Sequence, residues 1–519
     1  MIGGYLLKGT LNRSPTIVRS TSLLLMVESF TSLLSFGGYE FLIIFVVVAL
    51  SYRYTSSRLR LPPGPTPLPI LGNIHQIPVA SPEEGFARWR QKYGDVIHLS
   101  ILRSSLIVLN SLDSARDLLE KKSAIYSDRP RFVLLNELMG WHNASTHVRY
   151  GPRFRKHRRF IHQTFNQQAA LSLRPVQEKE TLNLVRGFVD TPEQFAQHIR
   201  RFAAATIMKI TYGRDITSVS DEFVLLAERA GSLTVQSGTP AASLVDFFPI
   251  MKHIPTWAPL AGFKRNARVV KEAVDRMMNI PFEMVKDQMV SGTANPCLTS
   301  RLLEACGETA SFEDEEDIKG VAGTMYAAAE DTTVCVLVTF VLAMVLHPQN
   351  FKKAQEEMDK VIGVNRVPSI EDRGDLPYLE CVLKEVYRWN PAAPLGIPHR
   401  LMEADVYNEH YIPEGSTVVA NIYAMLQECS NPRQFHPERH LKGDLIDPQE
   451  LVFGFGRRRC PGRYFADTGV WLVAANLVAS VNISKAKNEL GEEINPEVAF
   501  TPGFIRHPKP FPCQITARA

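Results

Sequence analysis

The run from Ser311 to Leu346 constrains this chain more than any other stretch. Ser311 followed three residues later by Asp314 is a capping-box pattern, the acids from Glu313 to Asp317 sit at the positive end of a helix dipole, and His347-Pro348 closes the far end. The spacing of these signals predicts a helix about 50 Å long at 1.5 Å per residue, far beyond the usual three turns. Most of its residues after Asp317 are apolar. A helix that long and that apolar has to cross the core of a sizeable body, so the rest of the chain must fold around it.

On length alone, 519 residues allow two to four domains. From about residue 70 onward, however, there is no internal repeat, no low-complexity segment and no linker that would divide the chain, which predicts one domain over 70–519. Helical patterns dominate it. Strand-like runs are confined to a hairpin over Asp95–Leu102 and Ser104–Asn110 and to short pieces near Val406–Ile412, Thr417–Asn421 and the C-terminus, so the fold class is mainly α with small β-sheets. With 45% hydrophobic and 22% charged residues and a mean hydropathy of −0.08, intrinsic disorder and a polytopic membrane protein are excluded.

One region near the N-terminus is strongly apolar. Residues 41–52 carry no charge but as a helix would span only about 18 Å, short of a bilayer core of roughly 30 Å. Extended upstream, 29–52 becomes long enough for a transmembrane anchor if Glu40 is accommodated, and Arg53, Arg58 and Arg60, with no acid before Glu83, read as its cytoplasmic flank. Residues 1–28 form an extension that a start at Met26 would remove. Residues 53–69 are a basic and proline-rich hinge, since the five prolines between Leu61 and Pro69 forbid helix and hold the backbone extended.

The net charge of +4 argues against nucleic acid as a partner. Its distribution is uneven: Leu138 to Gln177 contains no acid but holds Arg149, Arg153, Arg155, Lys156, Arg158, Arg159 and Arg174, a block suited to an anion or an acidic partner. Seven scattered cysteines, none spaced as CxxC, fit a reducing compartment without disulfides or a zinc knuckle. HExxH and P-loop patterns are missing, and Gly454-Phe-Gly456 lacks the third glycine of a dinucleotide fingerprint because position 459 is Arg. If this chain does redox chemistry, its electrons come from another polypeptide.

The densest signal is Phe453-Gly-Phe-Gly-Arg-Arg-Arg-Cys-Pro-Gly462. Gly454, Gly456 and Gly462 permit a tight turn and close approach to a flat ligand, and an apolar helix over Tyr464–Val481 puts Cys460 at a helix N-terminus amid Arg457, Arg458 and Arg459. Both features lower a thiol pKa and favour thiolate, the form that ligates metal, although a buried and inert cysteine is the commoner fate of this residue type.

This loop resembles the haem-ligand signature FxxGxRxCxG of the cytochrome P-450 family, matched at Phe453, Gly456, Arg458, Cys460 and Gly462. Other motifs of that family follow in order over roughly Leu61 to Ile515. The resemblance implies a long central helix crossing over haem b (heme b), with Cys460 as axial thiolate ligand to iron. Glu385-Val-Tyr-Arg388, on a helix predicted over Leu376–Trp389, matches ExxR; by itself it would be an ordinary i,i+3 ion pair. With Arg439 of Pro437-Glu-Arg-His440, similar to PERF, it implies a buried structural cluster of Glu385, Arg388 and Arg439 behind the haem, and His440 stands where the family has Phe. Ala328-Ala-Glu-Asp-Thr-Thr333 looks like AGxDTT, implying Thr332 beside O2 and Asp331 as the acid feeding its protons, with Ala329 in place of glycine. Phe154-Arg-Lys-His-Arg158 resembles WRxxR and implies Arg158 on a haem propionate, with Arg129, His399, Arg400 and Arg458 at other propionate-contacting positions. The surplus cations Arg153, Arg155, Lys156 and Arg159 would then present a basic face to an acidic electron donor.

Substrate-contacting segments of the family would here hold Met139, Trp141, Met208, Phe247, Phe248, Thr324, Ala328, Ala393, Leu395, Ile397, Phe504 and Ile505, which are mostly apolar. The wording is similar to fungal microsomal members, especially basidiomycete ones of secondary metabolism. The activity so implied is a monooxygenase that inserts one atom of O2 into a lipophilic small molecule (terpenoid, polyketide or aromatic metabolite), using electrons from NADPH–cytochrome P-450 reductase at the endoplasmic reticulum membrane, with the catalytic domain cytosolic. An electron-independent haem-thiolate isomerase or dehydratase is the alternative, against which Asp331-Thr332 weighs; a non-catalytic haem-binding protein is a third reading.

Overall fold

The long helix forms over Phe312–Leu346, 35 residues. Ser311 accepts the Asp314 N–H, the Asp314 carboxylate accepts the Ser311 N–H in return at 3.1 Å, and His347 caps the C-terminus before Pro348 opens the next helix, Pro348–Val361. The two halves of the long helix feed different cores. Ile318, Val321, Ala322, Met325 and Tyr326 pack with Met277, Phe282 and Phe223, whereas Val334, Leu337, Phe340, Val341 and Met344 pack with Leu379, Val386 and Trp471. Between them the burial breaks: Ala328 is exposed and Ala327, Ala329, Asp331, Thr332 and Thr333 are only partly covered. These middle turns are the part of the core helix that its neighbours leave uncovered.

The structure, a computed structural model, describes residues 60–518 other than 79, 103, 238–242, 308–310, 364–365 and 444. The anchor expected over 29–52, the extension before it and the hinge up to residue 59 lie outside the described residues. Among the described residues one helix is long and apolar enough to cross a membrane, Phe312–Leu346, and its most apolar window is 78% buried inside the protein, which makes it a core helix. Residues 62–407 and 412–519 form one compact unit; the described residues outside it are 60–61 and 408–411, among which the Tyr411 N–H donates to the Arg60 carbonyl.

Within the large unit, Val96–Ile101 and Ser104–Leu109 make the predicted antiparallel hairpin, with Val96 opposite Leu109. Ser104–Leu109 also pairs in parallel with Thr417–Ala420, Leu106 opposite Thr417, and that strand pairs antiparallel with His399–Arg400. Ile107, Val108 and Leu109 are fully buried, as an inner strand requires. A second pair joins Val481–Lys485 to Cys513–Ala517. The helices Pro377–Trp389 and Arg463–Ser480 fall within a residue of their predicted bounds. The sheet brings Arg129, next to the Asp128 bridge to Arg400, close to residues about 270 positions later.

Candidate functional site

Cys460 lies in the loop between the short helix Pro448–Val452 and the helix Arg463–Ser480. The Cys460 N–H donates to the Phe453 carbonyl at 2.7 Å, closing the loop on itself, and the Phe453 ring stands 6.3 Å from that of Tyr387. Gly454 and Gly456 have φ of +73° and +53°, and a Cβ on Gly456 would come within 2.1 Å of the Leu119 carbonyl oxygen, so only glycine fits there. Gly462 differs from expectation: its φ is −86°, and a Cβ there would stand 3.7 Å from Met325 Cε on the long helix. Backbone conformation therefore does not require glycine at 462. The contact instead shows that the cysteine loop faces the long helix just before its uncovered middle.

The electrostatics around the thiol also depart from the sequence reading. Burial pushes the Cys460 thiol up, opposed by the Gly462 N–H and by the guanidinium groups of Arg158 and Arg463. Neither Arg457 nor Arg459 is among these opposing charges, and Arg458 turns away, donating from Nε to Ser127 O and from Nη2 to Val148 O, both at 2.8 Å.

Arg158, on the helix Pro152–Phe165, donates from Nη1 to the Arg459 carbonyl at 2.8 Å, beside the cysteine. Arg458 lies over the Phe154 ring, 3.7 Å from its centroid, so the phenyl that replaces the family's indole serves as a platform for the cation. Burial lowers the Arg458 guanidinium to about 9, with Asp128 partly offsetting it. Arg129 is buried too, its charge disfavoured by burial and by Arg458, and it donates to the carbonyls of Thr146, Ile397 and Pro398. Burial and the charge of Arg129 hold His399 well below the ordinary imidazole range, and its Nδ1 lies 2.7 Å from Tyr126 O. Arg400 is placed differently: its Nη1 is 3.2 Å from Asp128 Oδ2, a carboxylate that also accepts from Arg149 at 2.8 Å. Thus Arg129, Arg158, His399 and Arg458 converge, whereas Arg400 is spent on Asp128. One buried donor in this cluster, Arg458 Nη1, has no hydrogen-bond partner, nor has Arg459 Nε in the adjoining loop. Buried cation in excess of acid, with orphaned donors, calls for an anion.

Behind the loop, Glu385 is fully buried and accepts five hydrogen bonds. Arg388 gives two, at 2.7 and 2.9 Å; Arg439 Nε gives one at 3.0 Å, the His436 N–H one at 2.8 Å, and His440 Nε2 lies 2.9 Å from Oε2. Burial alone would raise this carboxyl, but the bonds from His440 and Arg388 outweigh it and hold it at about 2. The segment before His440 is held by the same cations: Arg388 donates to Pro432 O and Arg439 to Ser430 O and Gln434 O. On the long helix, Thr332 donates to Ala328 O at 2.8 Å, and Asp331 Oδ1 is 2.8 Å from His507 Nε2.

A family model described as cytochrome P-450 matches residues 62–514. The chain belongs to the cytochrome P-450 family. It is 40% identical to cytochrome P-450 monooxygenase 176 of Postia placenta, over 95% of this chain and 96% of that one. It is 41% identical to cytochrome P-450 monooxygenase claR of Ampulloclitocybe clavipes (91% and 89%) and 38% identical to a tryptamine 4-monooxygenase of Psilocybe cyanescens (92% and 97%). It is accordingly an oxidoreductase that incorporates oxygen, and its cofactor is haem with cysteine thiolate ligation of the iron.

The residues of this P-450 fit that group. Haem carries two carboxylates, which match the surplus cations and the orphaned donor of Arg458, and its apolar ring suits Ala327, Ala328 and Ala329 in the uncovered middle of the long helix. Part of the basic block is not free for an acidic partner, as Arg153 and Lys156 both bind Asp317 at 2.6 Å, and Lys156 also Asp314. Arg155 and Arg159 stay exposed. Of the pocket residues expected from sequence, Met139 and Met208 are fully packed in the core, and Thr324 Oγ1 is engaged by the Ser145 N–H and by Gly320 O. Sequence reasoning missed His507 altogether and passed over His157, which bridges Ser145 and Asp317 at 2.9 and 3.0 Å.

Proposed function

We propose that this chain is a haem-thiolate monooxygenase that inserts one atom of O2 into a lipophilic small molecule, using electrons delivered by NADPH–cytochrome P-450 reductase. What supports it best is that Cys460 has Arg158 beside it, that Arg458 next to them keeps a buried donor without a partner, and that the cysteine loop faces the long helix just before its uncovered middle. When bound, haem supplies the iron chemistry of O2 activation. Cys460 Sγ would ligate the iron; the guanidinium groups of Arg158, Arg458 and Arg129 would neutralise the propionates, with His399 as an uncharged hydrogen-bonding neighbour; Glu385, Arg388 and Arg439 keep the cysteine loop in register. Ala328 has no side chain beyond Cβ and would leave room for the ring and for O2. Thr332 Oγ1 and the Asp331 carboxyl hold and pass protons into a pocket whose apolar walls exclude bulk water.

The substrate we infer is a lipophilic secondary metabolite, a terpenoid, a polyketide or an aromatic compound; one relative at 38% identity is named for tryptamine, an aromatic amine. Contact with the endoplasmic reticulum membrane is supported by apolar side chains left in solvent, among them Ile70, Ile250, Trp257 and Leu260, each at least 75% exposed. Reduced protein under carbon monoxide should give the thiolate-type spectrum, and Cys460→Ser should lose it; a Cys460→Ser protein that kept the band would overturn the ligand assignment. Co-expression with a fungal reductase and metabolite profiling against the empty host then tests monooxygenation, through reductase-dependent products heavier by one oxygen.

A further inference from the structure

We propose that His507 is the port through which protons reach Asp331, acting through that carboxylate as a positioning and proton-supplying residue; this rests on the assignment of Asp331 and Thr332 to proton delivery. His507 Nε2 is 2.8 Å from Asp331 Oδ1, and the two side chains are 26% and 40% exposed. The pair joins the C-terminal loop to the uncovered middle of the long helix. An exposed pair of this kind adds little stability by itself. Its placement is nevertheless over-determined.

Arg506, the preceding residue, donates from Nη2 to Glu84 at 2.8 Å, with its guanidinium 4.5 Å from the Phe500 ring centroid and 5.3 Å from that of Tyr423. Its N–H donates to Ala392 O, and its carbonyl accepts from Asn390 Nδ2 at 3.0 Å and from Cys335 Sγ at 3.3 Å. Cys335 stands one turn beyond Asp331 on the long helix, so the loop is stapled to the same helix that carries the acid. The His507 N–H donates to Thr501 Oγ1, and its carbonyl accepts the Thr501 N–H. Every polar main-chain group next to the imidazole is engaged, and the ring keeps access to water.

The neighbouring acid cannot take this role. Glu330 turns to the other side of the helix, 3.7 Å from Arg200, almost fully buried. Asp331 is thus the carboxyl of this turn that meets the water-accessible imidazole, next to Thr332 in the uncovered middle of the helix. In the step we assign, the His507 imidazolium gives its Nε2 proton to Asp331 Oδ1: the N–H bond breaks and an O–H bond forms. The acid turns toward Thr332, and the freed Nε2 takes a proton from water. Reducing O2 to peroxide takes two electrons and two protons, and reducing it to water takes four of each, the electrons coming from NADPH through the reductase. Slow proton supply therefore diverts O2 to peroxide.

The test uses the full chain reconstituted with NADPH–cytochrome P-450 reductase, turning over without substrate, with NADPH oxidised, O2 consumed and peroxide formed all measured. His507→Gln keeps an amide N–H for Asp331 but cannot carry a proton. With haem content and the carbon monoxide spectrum unchanged, we expect its peroxide fraction to rise about threefold and its solvent isotope effect to grow. The infrared stretch of the carbon monoxide adduct reports the field of Asp331 independently of turnover: His507→Gln should keep the wild-type band and His507→Ala shift it. A wild-type peroxide fraction and isotope effect in His507→Gln, or an unshifted band in His507→Ala, overturns the proposal. If Asp331→Asn and Thr332→Ala raise peroxide while His507→Gln does not, the port alone is wrong. If none of the three does, the underlying assignment has failed.

Discussion

His440 occupies the position where the family carries phenylalanine, and it is a sharp place to perturb the cluster behind the cysteine loop. Glu385 is fully buried, and Oε2 has two partners, Arg388 Nε and His440 Nε2; Oε1 has three. His440→Phe restores the family residue, fits an apolar ring into a site 3% exposed, and leaves Oε2 with one donor. A hydrogen bond to a buried charge is worth about 1.5–3 kcal/mol. At about 1.4 kcal/mol per pKa unit, its loss raises the Glu385 pKa by roughly 1–2 units from its value of about 2. The sign follows from the depression: the folded pKa lies below the ordinary 4.5, so the stabilisation is complete above about 4.5 and disappears as pH falls toward 2. In the variant it disappears sooner. Titrating the carbon monoxide adduct downward from pH 7 should show the thiolate band collapsing about 1–2 pH units higher in His440→Phe than in wild type. His440→Gln, whose amide can still donate to Oε2, should recover most of the difference. Equal acid midpoints for wild type and His440→Phe, at equal thermal stability, would refute the claim that the imidazole supports the carboxylate.

Gly456→Ala should prevent accumulation of haem-loaded protein, since its Cβ meets the Leu119 carbonyl at 2.1 Å in a left-handed backbone; the ratio of haem to protein absorbance after purification measures it. Arg458→Ala should purify with a lowered haem content that added haem only partly restores, because the cation lost carries the orphaned Nη1 donor; full loading would remove Arg458 from the propionate site. Burial and the neighbouring Asp331 push the Glu330 carboxyl up to about 8. Its contribution to stability therefore falls between about pH 4.5 and 8, by at most about 1.4 kcal/mol per pH unit, and Glu330→Gln should flatten that decline, melting higher than wild type at pH 8.5 but not at pH 5.

Much of this arrangement was legible because it depends on local rules. The long helix announces itself through Ser311, Asp314 and His347-Pro348, the hairpin through alternation on either side of residue 103, and the cysteine loop through glycines whose positive φ leaves few substitutes. What the sequence misjudged were the partners of charged side chains. Arg457, Arg458 and Arg459 are neighbours of Cys460 in the chain, but two of the cations that oppose its burial come from Arg158 and Arg463. The basic block from Leu138 to Gln177 looked free because no acid lies within it, yet Asp317 reaches Arg153 and Lys156 from the long helix. Gly462 looked like a turn residue and is instead a facing surface for Met325. The role of His507 depends on a loop stapled by Arg506 to segments more than 100 residues away, for which no local pattern exists.

The strand Ser104–Leu109 carries a further implication, one of time. Its free edge pairs in parallel with Thr417–Ala420, which leaves the ribosome about 300 residues later. At about 5–20 residues per second, that edge, with Ile107, Val108 and Leu109 destined for full burial, waits roughly 15–60 seconds without its partner. The cysteine loop is made later still. Folding of this protein is thus dominated by contacts distant in sequence, and haem can be captured only near the end of synthesis. Supply of haem and protection of the hairpin edge in that interval, more than the stability of the finished protein, should set how much active enzyme a host accumulates.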